Sequence, residues 1–170
     1  MATGDRIDHV RPRDLCPEGT ILEAAPLVAS GNLLGVPLEK LDSKGFSFHV
    51  RVPTNGTPLS TGLTFQLALV DDPNNSDPGK VVRIGIAVKV LASGTDDLTT
   101  TGAGTEQFFT GTMNATTGVI TLVSAAIANA NLDSAAAGSL LLVRIRRNGS
   151  NAADTHNGRV LLTNITVSDT

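Results

Sequence analysis

The chain has 170 residues, enough for one domain that buries roughly 70% of its unfolded surface. A net charge of -3, a pI near 5.5 and the absence of Trp and Tyr argue against a nucleic-acid binder, which needs a basic face or aromatic stacking platforms. The lone cysteine, Cys16, rules out an internal disulfide, and the core must be built from Leu, Val, Ile and a few Phe.

The opening "MATGDRIDHVRPRDLCPEG" is mixed in charge and has no apolar stretch, so no signal peptide is expected. No uncharged apolar run reaches the roughly 18 residues of a membrane helix. Cytoplasmic synthesis and no membrane partner are the corresponding expectations. Up to residue 44, Pro12, Pro17, Pro26 and Pro37 hold the backbone extended. The same segment carries Ile21, Leu22, Leu27, Val28, Leu33, Leu34, Val36 and Leu38, too many apolar side chains to leave in water. Residues 1–44 are therefore expected to form an extended arm that lies on a surface. That surface is either their own domain or another chain.

From Gly45 onward a two-residue period takes over. "FSFHVRV" puts Phe46, Phe48, Val50 and Val52 on one face, opposite Ser47, His49 and Arg51. "LTFQLALV" turns Leu63, Phe65, Leu67 and Leu69 inward, and "VVRIGIAVKVL" does so with Val82, Ile84, Ile86, Val88 and Val90. "EQFFTGT" and "GVITLVSAAI" give two further strands. "LLLVRIRR" alternates Leu141, Val143 and Ile145 with outward Arg144 and Arg146, and Arg147 opens the next loop. "RVLLTNITVSD" closes the chain, with Leu161, Thr163, Ile165 and Val167 expected on one face. Between the strands stand clusters of Gly, Asn, Asp and Pro, which accept turn geometry. The Ala-rich "SAAIANANLDSAAAGS" lacks a helical stripe and reads as a strand end followed by a turn. Residues 45–170 are thus expected to form an all-β antiparallel sandwich.

No constellation of catalytic type stands out. His9, His49 and His156 have no metal spacing and read as surface histidines. "DDPNNSDPG" offers Asp71, Asp72 and Asp77 as oxygen donors, but without the spacing of a calcium loop. Asp154 and His156 lack a Ser elbow to complete a triad, and Gly102 and Gly104 lack a phosphate-loop lysine. No enzyme, metal or cofactor is expected. Arg146, Arg147 and Asp154 have a structural use instead, as an Arg–Asp pair pinning the long loop of the last hairpin. Four Asn-x-Ser/Thr sequons, at Asn55, Asn114, Asn148 and Asn164, read as chance products of an Asn/Thr-rich β protein.

The tail "LDSAAAGSLLLVRIRRNGSNAADTHNGRVLLTNITVSD" resembles the final β-hairpin of jelly-roll structural proteins in tailed-bacteriophage virions. The matching positions are Ala137-Gly138, Leu140 to Arg147, Ala153, Asp154, Thr155 and Val160 to Val167, and "FSFHVRVP" resembles their first core strand. This resemblance implies a jelly roll and a non-enzymatic capsid decoration (cement) protein on the outer capsid surface. Its implied partners are the major capsid protein and sister subunits of a homotrimer, with no direct nucleic-acid contact. The alternative is a receptor- or carbohydrate-binding fibre-tip domain, against which the missing Trp and Tyr count.

Overall fold

The computed structural model describes residues 6–10, 16–17, 28–30, 33–40, 45–52, 61–92, 96 and 104–169. Their strands are β1 (Arg6–Val10), β2 (Cys16–Pro17), β3 (Val28–Ser30), β4 (Leu33–Leu38), β5 (Gly45–Arg51) and β6 (Gly62–Asp71). There follow β7 (Val81–Leu91), β8 (Glu106–Thr112), β9 (Ile120–Ala128), β10 (Leu140–Arg147) and β11 (Val160–Asp169). A 3-10 turn, Asn129–Asn131, follows β9. All pairings are antiparallel. The first sheet runs β3-β4-β11-β6-β9, with β1 also on β11; the second runs β2-β5-β10-β7-β8.

The two sheets face each other across one apolar core. Phe46, Phe48, Val50, Val82, Ile84, Ile86, Leu141, Val143 and Ile145 enter it from the second sheet. Leu63, Phe65, Leu67, Leu69, Val123, Ala125, Ile127, Ile165 and Val167 meet them from the first. The fold is therefore an all-β sandwich, as the alternation requires: successive side chains leave opposite sides of a strand, so a period of two makes one face apolar.

Two expectations change in the folded chain. The first concerns β11. Its register against β6 slips between Leu162 and Asn164, leaving Thr163 as an extra residue. The bulge shifts the phase, so Val160 and Leu162 enter the core before it and Ile165 and Val167 after it. Thr163 does not face the core; its hydroxyl donates to the Ala68 carbonyl at 3.0 Å. The bulge separates Leu161 and Thr163 from Ile165 and Val167, which a strict period of two put on one face; Leu161 is buried all the same.

The second concerns the arm. Strand β4 pairs with β11 through Val160↔Leu38 and Leu162↔Val36, and Val36 and Leu38 belong to the core. A boundary at residue 45 thus cuts through the sandwich, because β11 needs a partner on its outer edge and β4 provides it. Of the other apolar residues of this segment, Leu33 and Leu34 lie in β4 and Val28 in β3, which pairs with β4. Ile21, Leu22 and Leu27 lie outside the described residues.

Candidate functional site

The densest group of charged side chains lies at one end of the sandwich, where the β6–β7 and β10–β11 loops meet. Arg147 is fully buried and bidentate to Asp154, with Nε to Oδ2 at 2.8 Å and Nη2 to Oδ1 at 2.7 Å. It also donates to the carbonyls of Gly158 (2.7 Å), Leu38 (3.5 Å) and His156. The second oxygen of Asp154 accepts the Arg83 amide at 3.0 Å. Arg147 closes β10 with its side chain inside the fold, in phase with Leu141, Val143 and Ile145, whereas its charge made it read as the first residue of an exposed loop. Arg146, grouped with this pair by sequence, points to the other face and pairs with Glu106.

His156 is also buried, which corrects its reading as a surface histidine. Its Nε2 meets Asp71 Oδ1 at 2.9 Å and its Nδ1 faces the Gly158 carbonyl at 3.2 Å. Asp72 accepts from the Asn74 amide at 2.9 Å and pairs with Arg159. The carboxylates of the acidic loop are thus engaged by the fold. Among the described residues no group of three His, Cys, Asp or Glu could hold a metal ion. No Ser oxygen bonds to His156 in the described contacts, and a buried imidazole between a carboxylate and a carbonyl has no access to a substrate. The arrangement is a clasp that ties two loops and the end of β4 together.

Asp77 gives this clasp a pH dependence. The backbone amide of Asn157 donates to its carboxylate at 2.8 Å and holds its pKa below the ordinary 3.8. Hydrogen bonds to the ionised form favour that form. The stabilisation is complete above the ordinary value and is lost as pH falls through the lowered one. Asp77→Asn is accordingly expected to flatten the acid limb of a stability-versus-pH curve below pH 3.8, with stability at pH 7 lowered little. Chemical unfolding across pH 2 to 7 checks this; an identical acid limb in the variant would contradict it.

A different concentration of charge covers the outer face of the second sheet. The register places Arg51, Leu140 and Leu91 in one row, then His49, Leu142 and Lys89, then Ser47, Arg144 and Ala87. Arg146 follows beside Gly85, which faces Phe108 of β8. Arg83 lies over the Phe108 ring, 3.8 Å from its centroid. Five of the chain's 13 Lys and Arg, namely Arg51, Arg83, Lys89, Arg144 and Arg146, thereby share one face with His49. Glu106 is the one carboxylate that its strands turn to that face, and Asp96 beyond β7 reaches Lys89 at 3.7 Å. Glu106 takes Arg146 in a fork, at 2.6 and 2.5 Å. The two side chains meet over Gly85, where a Cβ would collide with the Glu106 carboxylate. The outer face of the first sheet contrasts with this. Its β6, β9 and β11 positions include Thr64, Gln66, Ala68, Val70, Ile120, Leu122, Ser124, Ala126, Leu161, Asn164, Thr166 and Ser168, with no charge among them.

Beside the basic face lies a cleft of about 410 Å³, lined by Lys89, Thr105, Asn131 and Asp133 among others. It forms because β8 pairs with β7 only as far as Ala87, leaving the end of β7 with β10 on one side and no strand on the other among the described residues. Two carboxylates take over the exposed amides there: Asp133 accepts from Val90 at 3.3 Å and Asp96 from Ala92 at 2.6 Å. Asp133 and Ser134 both hold positive φ, 54° and 61°, uncommon for residues with a Cβ. That turn aims the Asp133 carboxylate back at β7. The alternation exposed each outward Arg and Lys in the sequence, but which of them share a row depends on pairing between strands far apart in the chain.

No family model matches this chain, and no curated protein does. Among solved structures it is similar to a carbohydrate-binding module of family 36 in complex with calcium and xylotriose: 13% identity, 95% of this chain, 100% of that chain, TM-score 0.46. It is likewise similar to the xylan-binding module of family 15, at 14% identity, 99% of this chain, 92% of that one and TM-score 0.47. A xylan-binding domain from Paenibacillus barcinonensis gives 12% identity, 99% of this chain, 96% of that one and TM-score 0.45.

Proposed function

We propose that this protein is a non-catalytic binding module whose ligand is an acidic carbohydrate chain, bound on the outer face of the second sheet. One observation carries this: five cationic side chains gathered on one face of a chain whose net charge is negative. Guanidinium groups suit sugar carboxylates because their planar fork makes two parallel charge-assisted hydrogen bonds. The exposed Phe108 ring, with Arg83 stacked on one of its faces, adds apolar surface beside them. Lys89 belongs both to this face and to the cleft, whose volume falls within the usual range of small-ligand sites. There, Thr105, Asn131 and Asp133 supply the mixed donors and acceptors that one sugar unit needs. A clamp on a capsid shell calls for a free apolar arm, and Val36 and Leu38 are placed in the sandwich's own core instead.

Affinity electrophoresis through gels containing polygalacturonate, alginate or neutral xylan tests the proposal. Retardation is expected in the acidic polymers, weakening with added salt because exposed charges are screened. Arg51→Ala combined with Arg144→Ala is expected to weaken it about tenfold or more, since each charge-assisted bond contributes ~1.5–3 kcal/mol. Equal retardation of wild type and variant, or tighter binding to single-stranded DNA than to any glycan, would overturn the carbohydrate assignment.

A further inference from the structure

We infer that β9 is the contact strand of a two-fold symmetric homodimer, in which it pairs antiparallel with β9 of a second copy. This interface lies on the first sheet, away from the basic face, and stands independently of the ligand assignment.

Among the described residues β9 ends the first sheet, with β6 on one side and no strand on the other. An open edge is a template for another strand, and proteins that stay monomeric guard theirs with charge, proline or a covering segment. This chain guards one such edge: the free end of β7 has its amides occupied by Asp96 and Asp133. Among the described residues nothing guards the outer edge of β9. From Gln107 to Leu132 there is no Asp, Glu, Lys or Arg and no Pro. Val119, Ile120 and Leu122 are exposed there, 41, 55 and 60% respectively.

The phase of the strand fits a partner. The Asn129 amide donates to Thr61 on the β6 side, and the β6–β9 register is regular from Gly62↔Ala128 to Val70↔Ile120. Amides and carbonyls alternate sides along a strand, so Ile120, Leu122, Ser124, Ala126 and Ala128 present theirs to the open edge. A two-fold axis at Ser124 brings Ile120 opposite Ala128 of the second copy and Leu122 opposite its Ala126. Each large side chain meets a small one, no like charges meet, and the uncharged outer faces of the two first sheets become continuous. An isologous contact needs such self-complementarity, and an edge whose residues are all neutral meets it with no electrostatic cost. Two paired strands bury an area at or below the low end, about 1,200 Å², of stable interfaces. The dimer is accordingly concentration-dependent.

Sedimentation of the full chain over a wide concentration range tests this. The expected result is a shift from 17.5 kDa towards twice that mass as concentration rises. Leu122→Lys is expected to stay monomeric throughout with an unchanged circular dichroism spectrum. In a Cys16→Ser background, Ser124→Cys is expected to form a disulfide-linked dimer on mild oxidation, because an axis at residue 124 brings its two copies within disulfide reach. Ala115→Cys, on the β8–β9 turn, should not form one. A monomer at every concentration, a trimer, or association that survives Leu122→Lys would overturn the proposal.

Discussion

Asp154→Ala is expected to destabilise the protein by about 3–5 kcal/mol, the usual cost of leaving one member of a buried ion pair without its partner. Neither side chain of the Arg147–Asp154 pair is exposed to solvent, so water cannot compensate the stranded guanidinium. For a chain of this size each kcal/mol shifts the midpoint by about 2–4 °C, and the thermal transition should fall by roughly 10 °C or more. Arg147→Met should cost a similar amount by another route, stripping the donors from the Gly158, His156 and Leu38 carbonyls. The double variant Arg147→Met, Asp154→Ala is expected to lose less than the sum of the two, because no buried charge remains. Thermal and urea unfolding of the four proteins gives the coupling directly. A cost below 1 kcal/mol for Asp154→Ala, the range of exposed pairs, would show the clasp to be solvated.

Removing residues 1–44 is the second large effect, and the fold reverses what an arm would suggest. An arm lying on another chain leaves a folded domain behind when deleted. Here the deletion removes Val36 and Leu38, 1 and 2% exposed, from the core and strips the β4 pairing from Val160 to Leu162 of β11. Each side chain is worth about 1.5–3 kcal/mol on burial, and Arg147 loses the Leu38 carbonyl as well. The combined loss is a large part of the roughly 5–15 kcal/mol that holds a domain folded. The truncated chain is expected to unfold at much lower urea than the full chain, or to collect in inclusion bodies. Val36→Ala with Leu38→Ala should reproduce much of the loss without touching the rest of the segment. Unfolding of the truncated chain at the full-length midpoint would mean that β4 adds nothing to the sandwich.

The all-β class and most of the core were legible in the residues because a strand half-buried against a second sheet must alternate. Phe46 to Val52, Leu63 to Leu69 and Val82 to Val88 each state that period without help from distant contacts. The alternation also marked Arg144 and Arg146 as outward. It failed at Thr163, because a bulge is a relation between two strands, and no local pattern in β11 records where β6 slips against it. It failed for Val36 and Leu38, since proline-broken runs look alike whether they dock on their own domain or on another chain. Arg147 and His156 carried polar identities that argue for solvent. They are buried because Asp154, Asp71 and several carbonyls converge on them from segments up to 109 residues away in sequence. The basic face arises in the same way: β5, β7 and β10 each contribute one or two cations, and strand order in the sheet sums them. Periodicity is written in neighbouring residues, and so the sequence by itself determined which side of each strand meets the core. Pairing of side chains across strands depends on long-range closure, and so the clasp, the cleft and the charged face were decided only in the tertiary structure.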